Sequence, residues 1–246
     1  MYTDTQAVVM RQVKTMNGRR MIVLFSRKYG KIGAGTSISE AGKTKSALAL
    51  RPFTLGRYEL SKVGDNFYIN GAEAIRSYYR IGEDVDKYLR ASYVLEFTDK
   101  LLPEGDPAPA VFDLLTEFLP MIEERKKACG TLVLGYLCQV IARSGSAPDL
   151  ARCVGCGKEE ATCFSVEDGG LLCGDCEEKL HRSGPMSFPV TGEMIGVFRY
   201  LLENPLKNLN TLALRDDLEK KIGTILRAYI AYHLGIEALK SESMIL

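Results

Sequence analysis

Four cysteines constrain this chain more than any other feature. Cys153-x2-Cys156 is followed by sixteen residues and then by Cys173-x2-Cys176. Two thiolates so spaced on a tight turn face one ion, and a second such turn completes a tetrahedron around Zn²⁺. Gly155, Gly157 and Gly174 let the backbone bend around sulfur. Between the pairs, Cys163 to Val166 and Leu171-Leu172, joined by Glu167-Asp168-Gly169-Gly170, read as a short hairpin. The pattern predicts a zinc-ribbon-like insert over residues 150–180 with one structural Zn²⁺ per chain. Four sulfurs close the shell and leave no position for a reactive water. Cys129 and Cys138 read as small core residues. Cys163 lies close enough to substitute as a ligand, but the paired spacing favours the other four.

Around this insert the hydrophobic period changes once. Residues 1–80 read as five or six short strands. The apolar runs are Ala7 to Met10, Met21 to Phe25, the stretch around Ile32 and Ala34, Ala47 to Phe53, Gly56 to Val63 and Phe67 to Ile69. Asn17-Gly18 and Gly64-Asp65-Asn66 supply turns. Such spacing suits a small barrel that closes on itself. From Glu83 the apolar residues recur at helical spacing. Five stripes follow, from Val85 to Leu101, Val111 to Ile122, Leu132 to Ile141, Met194 to Leu202 and Leu214 to Tyr232. Pro120 reads as a kink or early stop in the second, and Gly235 as a cap on the fifth. The expected division is a barrel domain, 1–80, and a helical domain, 81–246, that carries the insert.

Charge divides at the same place. Residues 1–80 hold 14 Lys+Arg against 5 Asp+Glu, a net +9, and the rest hold 18 against 26, a net −8. A basic barrel on an acidic remainder points to a polyanion partner. Cations alternate with aromatics in Phe25-Ser26-Arg27-Lys28-Tyr29-Gly30-Lys31, in Arg51-Pro52-Phe53 and in Arg57-Tyr58. Cations neutralise phosphates and aromatic faces stack on unpaired bases, which suits nucleic acid held without sequence readout. Strand alternation also turns some of Phe25, Phe53 and Tyr58 inward. The candidate DNA-binding residues are Arg27, Lys28, Lys31, Lys43, Lys45 and Arg51, with Arg11, Arg19 and Arg20.

Catalytic templates fail. Gly42-Lys43-Thr44 resembles the end of a phosphate loop, but Ser37 stands where that loop needs glycine. Gly33 and Gly35 begin a dinucleotide fingerprint that Ile38 ends. The chain has two histidines, His181 and His233, neither placed for a deaminase motif. The catalytic case is weak on each of these templates. The longest apolar stretch, 130–142, is about 13 residues and short of the ~20 that span a membrane. The first residues offer no basic and apolar leader, which predicts a cytoplasmic protein without stable disulfides.

The strand Ala7-Val8-Val9-Met10-Arg11, the stretch Leu24 to Lys31 and the segment Lys45 to Phe53 resemble the N-terminal domain of the bacterial RecO family. The order of barrel, helices and cysteine insert continues that resemblance along nearly the whole chain. It implies an α+β multidomain protein with an N-terminal OB-fold β-barrel, then an α-helical domain with a four-cysteine zinc-finger insert. Cys153, Cys156, Cys173 and Cys176 match its ligand positions. Where many relatives carry acidic residues after the first hairpin, this chain has Arg19-Arg20. The resemblance implies a non-enzymatic recombination mediator that binds single- and double-stranded DNA and anneals complementary strands. With RecR it promotes RecA loading onto DNA coated by single-stranded-DNA-binding protein, and it works in the bacterial cytoplasm at the nucleoid. It also implies docking of that coating protein's C-terminal tail, an acidic segment ending in a hydrophobic residue. Lys220, Lys221 and Arg227 beside Ile222, Leu226 and Tyr229 form the candidate seat. The alternative is a zinc-ribbon transcription or RNA-binding factor, which sequence-selective binding would distinguish. A zinc hydrolase would need an open three-ligand ion.

Overall fold

The computed structural model describes residues 2–14, 20–39, 44–180 and 186–242. Alternating apolar residues in the first third form five strands, β1 (Tyr2–Lys14), β2 (Arg20–Ser26), β3 (Gly30–Thr36), β4 (Thr54–Val63) and β5 (Asn66–Ser77). They close into a barrel of order β1-β2-β3-β5-β4, with β4 antiparallel to β1 and β5 parallel to β3. A closed barrel of five strands with this order has the OB-fold architecture, and closure removes the exposed edges of an open sheet. Ala7, Val9, Ile22, Leu24, Tyr58, Leu60 and Ile69 fill it. The expected strand over Ala47 to Phe53 is instead a short helix, α1 (Lys45–Ala49), and a turn. Thr44 caps α1 by accepting from the Ala47 N–H at 3.2 Å. The cap and the helix-favouring Ala-Leu-Ala-Leu run outweigh the alternation. Ala49 and Leu50 plug the barrel interior.

The chain divides into two compact units, residues 1–124 with 240–246, and residues 125–239. Secondary structure changes near residue 80, but compactness changes at 124/125. The helices α2 (Val85–Leu101) and α3 (Pro109–Glu124) belong with the barrel. Asp84 caps α2 through the Lys87 N–H. Phe112 of α3 packs edge-to-face on Phe25 of β2, ring centroids 5.5 Å apart. Pro120 does not stop α3, which runs on to Glu124.

The second unit is built on α4 (Cys129–Arg143), buried from Cys129 to Ile141. Its one long polar side chain in that stretch, Gln139, donates to the Asn204 carbonyl at 2.5 Å. A Cβ on Gly135 would collide with Leu209. Buried Arg125 donates to the carbonyls of Lys127, Ala128, Leu209, Asn210 and Leu212. The insert adds β6 (Asp149–Cys153), β7 (Cys163–Ser165), β8 (Gly170–Leu172), α5 (Gly174–Leu180) and β9 (Ser187–Pro189). Its four strands run in the order β6-β8-β7-β9. The helices α6 (Gly192–Glu203) and α7 (Asp216–Leu234) complete the unit. Gly235 ends α7 at φ +65°, a conformation that glycine adopts without strain. Among the described residues, no helix is long and apolar enough to cross a membrane.

Candidate metal centre and candidate nucleic-acid interface

The insert brings its four paired cysteines to one point. The Sγ atoms of Cys153, Cys156, Cys173 and Cys176 all lie within 4.8 Å of one another. The Cys156 and Cys173 sulfurs are 3.6 Å apart. A tetrahedral Zn²⁺ with ~2.3 Å bonds places its sulfurs about 3.8 Å apart, so the donor set fits that ion. Local hydrogen bonds form the two turns. The Gly157 N–H donates to the Cys153 carbonyl at 2.8 Å, and the Cys176 N–H to that of Cys173 at 3.1 Å. Gly157 holds φ +77°, where a Cβ would be strained. Lys158 and Asp175 join the turns across 2.6 Å. The predicted hairpin is present as β7 and β8.

The four sulfurs influence one another's protonation. Burial pushes the Cys153 thiol up, but the backbone N–H groups of Cys173, Cys156 and Gly155 outweigh it and hold the group at about 6. Hydrogen bonding to Cys156 and burial push Cys176 up to about 12. Sulfurs this close share protons unless a metal holds them as thiolates. Cys163 is buried beside the cluster but outside the four-sulfur set, and burial pushes its thiol up to about 11. Cys129 and Cys138 are buried core residues.

The basic face is less simple than the sequence suggests. Lys43 and Arg19 lie outside the described residues. Of the others, three are tied to carboxylates or carbonyls of the first unit's helices. Arg27 bonds Asp113 of α3. Arg11 donates from Nε to Asp99 of α2 at 2.9 Å. Lys31 donates to the Asp99 carbonyl at 2.6 Å, and its side chain is only 16 % exposed. The Lys28 ammonium lies over the Tyr29 ring and reaches Thr3. Arg20 donates to the Ile38 carbonyl and to Gln12. Lys45 and Arg51 are exposed, and among the described residues no carboxylate pairs with either.

Three of these cations, Arg11, Arg20 and Arg51, are brought around one groove of about 1060 Å³ in the first unit. Lys100 of α2 and Lys240 join them, and among the described residues Glu96 and Asp99 are the only acids in its lining. Sequence reasoning missed Lys100 and Lys240 because they lie far outside the first 80 residues. A β-bulge between Val9 and Arg11 places Arg11 there. Of the aromatics that alternate with the cations, three are core: Phe25 and Tyr58 are fully buried and Phe53 is 7 % exposed, while Tyr29 is half-buried. The exposed rings on the groove are Tyr79 and Tyr88. Lys220 and Lys221 stand exposed on α7, and Arg227 is half-buried. Ile222, Leu226 and Tyr229 beneath them are buried in the second unit's core.

Comparison with known proteins covers the chain from end to end. The family model described as Recombination protein O N terminal matches residues 1–78, and Recombination protein O C terminal matches residues 82–243. A protein of Alkaliphilus metalliredigens named DNA repair protein RecO is 28 % identical over 238 residues, 95 % of this chain and 94 % of that protein. One of the same name from Thermoanaerobacter sp. is 27 % identical over 242 residues, 98 % of this chain and 96 % of that protein. A third, from Desulforudis audaxviator, is 27 % identical over 236 residues, 95 % and 92 % of the two chains. With both halves of the pattern matched in order, on an OB barrel followed by helices and a four-cysteine insert, the chain belongs to the RecO family.

Proposed function

We propose that the chain is a non-enzymatic mediator of recombinational DNA repair. It binds single- and double-stranded DNA through the barrel unit and anneals complementary strands. With RecR it promotes RecA loading on DNA coated by single-stranded-DNA-binding protein. The observation that carries this reading is the family match in both halves of the chain. The groove with Arg11, Arg20 and Arg51 supports it, because a cationic concavity lowers the repulsion between two polyanions. Lys45 and Lys28, both exposed, add to the positive charge of the unit, while that of Arg27 and Lys31 is partly offset by Asp113 and Asp99. Zn²⁺ on Cys153, Cys156, Cys173 and Cys176 holds the insert and takes no part in chemistry. The acidic tail of single-stranded-DNA-binding protein docks on the second unit, with Lys220, Lys221 and Arg227 as its cations. The protein works in the bacterial cytoplasm at the nucleoid.

Annealing of two complementary oligonucleotides, titrated with salt and with RecR and the coating protein added in turn, tests the reading. Annealing should occur without a nucleotide cofactor and weaken steeply as salt rises. Unrelated sequences should behave nearly alike. Absence of annealing at low salt would refute it, and strong preference for one sequence would favour a transcription or RNA-binding factor.

A further inference from the structure

The groove in the barrel unit has features that general charge attraction does not require. Its walls come from the bulged part of β1, from α1 and the turn after it, from Ser77 at the end of β5, from the turn Tyr79–Glu83, from α2 and from Lys240. Arg20 alone comes from β2, and β3 contributes nothing among the described residues. It is therefore not the β2–β3 face that OB-folds commonly present to nucleic acid. Two tyrosines stand on it in the open, Tyr79 68 % and Tyr88 48 % exposed. An exposed ring on a cationic groove offers a face on which an unpaired base can stack.

The ring of Tyr88 has an aromatic neighbour. Phe53 meets it edge-to-face at 5.8 Å. Phe53 itself has φ +61°, a left-handed conformation that a bulky side chain rarely adopts. Hydrogen bonds hold it there: its N–H donates to the Val9 carbonyl at 3.3 Å, and its carbonyl accepts from Tyr78 at 3.0 Å. Strained backbone of this kind persists where the surroundings over-determine it, commonly at ligand sites. The charge is complementary to an anion. Among the described residues five cations line it against two acids, and each acid already accepts hydrogen bonds within the unit. Glu96 accepts from the Lys240 and Ser241 N–H groups and from the Ser241 hydroxyl, and Asp99 accepts from Arg11.

We propose that this groove seats an unstacked single strand of DNA, with Tyr79 and Tyr88 offering their rings to its bases and Arg11, Arg51 and Lys100 meeting its phosphates. The proposal rests on the reading of the chain as a DNA-binding protein and specifies the strand form and the place. A duplex hides its base faces, so it can use the cations but not the tyrosines. A single strand uses both.

The chain contains no tryptophan, so Tyr79→Trp creates a single-tryptophan reporter. Its fluorescence should be quenched by oligo-dT and not by a duplex of equal charge. In parallel, labelled oligo-dT and the duplex are titrated into the intact protein and into Tyr79→Ala/Tyr88→Ala and Tyr79→Phe/Tyr88→Phe variants. The alanine variant should lose about tenfold or more in oligo-dT affinity and little in duplex affinity, and the phenylalanine variant should retain both. If the intact protein binds no DNA at low salt, the functional reading fails and the groove assignment with it. If it binds oligo-dT but the reporter is silent and the alanine variant binds normally, the groove assignment alone is overturned. Equal losses for both strand forms, or quenching by an acidic peptide in place of oligo-dT, also overturn it.

Discussion

The cysteine insert and the barrel groove are both candidate sites for charged ligands, yet they are built in opposite ways. The insert collects four atoms from two short turns, each set by hydrogen bonds between near neighbours such as Gly157 to Cys153. The groove collects cations from β1, β2, α2, the turn after α1 and residue 240, and offsets part of their charge with acids from α2. Local construction makes a site that is whole or lost. Dispersed construction makes one that is graded, where each residue moves affinity by a fraction. Removing the insert's ligands should therefore have a larger effect than any change at the groove.

Cys173→Ser/Cys176→Ser puts that contrast to its hardest test. Two of four ligands vanish, and the binding energy that folds such small metal modules, apparent values on the order of 10 kcal/mol, goes with them. Elemental analysis should find about one zinc per chain in the intact protein and none in the variant. Proteolysis should then cut within 150–180 while the barrel keeps its native protection. Survival of a protected insert without metal would place it in the same graded class as the groove. At the groove, Arg11→Ala/Arg20→Ala/Arg51→Ala should reduce the salt slope of DNA binding by up to about three, one for each phosphate that is no longer neutralised. Unchanged slope and affinity would move the DNA surface elsewhere on the chain.

What the sequence disclosed follows the same line between local and dispersed. The cysteine spacing and hairpin are legible because everything that places them lies within about thirty residues of chain. The helix α2 is legible for the same reason, being one repeated interval, although its stripe is buried only at Tyr93 and Phe97 and Val85 at its start is exposed. The helix α1 is not, because four alternating Ala and Leu residues fit either period, and the deciding group is one threonine hydroxyl at Thr44. Pro120 is a weaker stop than its ring suggests, since α3 accommodates it and continues to Glu124. No pattern could reveal that Asp99, 88 residues from Arg11, takes that side chain's Nε, or that Glu123 accepts Arg76 and Arg80. A net +9 on the first third does not say which cations other helices already hold. The aromatics behave similarly: sequence shows their spacing from cations, and only closure of the barrel decides that Tyr58 is inside and Tyr79 is not.

Asp99 sharpens the comparison from the other direction, because here a change should strengthen the site. Its carboxylate lies 2.9 Å from Arg11 Nε and 3.6 Å from Lys31 Nζ, and it competes with any incoming phosphate for those cations. Asp99→Asn keeps the shape and an acceptor for Arg11 but removes the charge. Oligo-dT affinity should rise by about threefold, and the salt slope should steepen by up to about one. Weaker binding would mean that Asp99 serves mainly to aim Arg11.

The smallest effect belongs to Glu96, which anchors the end of the chain beside the same groove. Burial raises its carboxyl, but the Ser241 hydroxyl and the Ser241 and Lys240 N–H groups outweigh that and hold it below the usual carboxylate range. A group whose folded value is depressed contributes stability that is full above its unfolded value and is lost as pH falls through the folded one. The window therefore opens near the ordinary glutamate value, about 4.3, and extends below it. Glu96 is only half-buried, so solvent screening limits the contribution to about 1 kcal/mol or less. Glu96→Gln should loosen residues 240–242 at neutral pH, seen as faster amide exchange at Lys240 and Ser241, with the barrel strands unaffected. The intact protein should show that same local loosening when titrated from about pH 6 to about pH 3, and the variant should show no further change over that range. Because Lys240 lines the groove, loosening it should lower oligo-dT affinity slightly, by less than removal of one phosphate-neutralising cation would. A loss as large as that of the triple arginine variant would mean that the anchored chain end, and not the barrel's own cations, supplies most of the groove's hold on DNA.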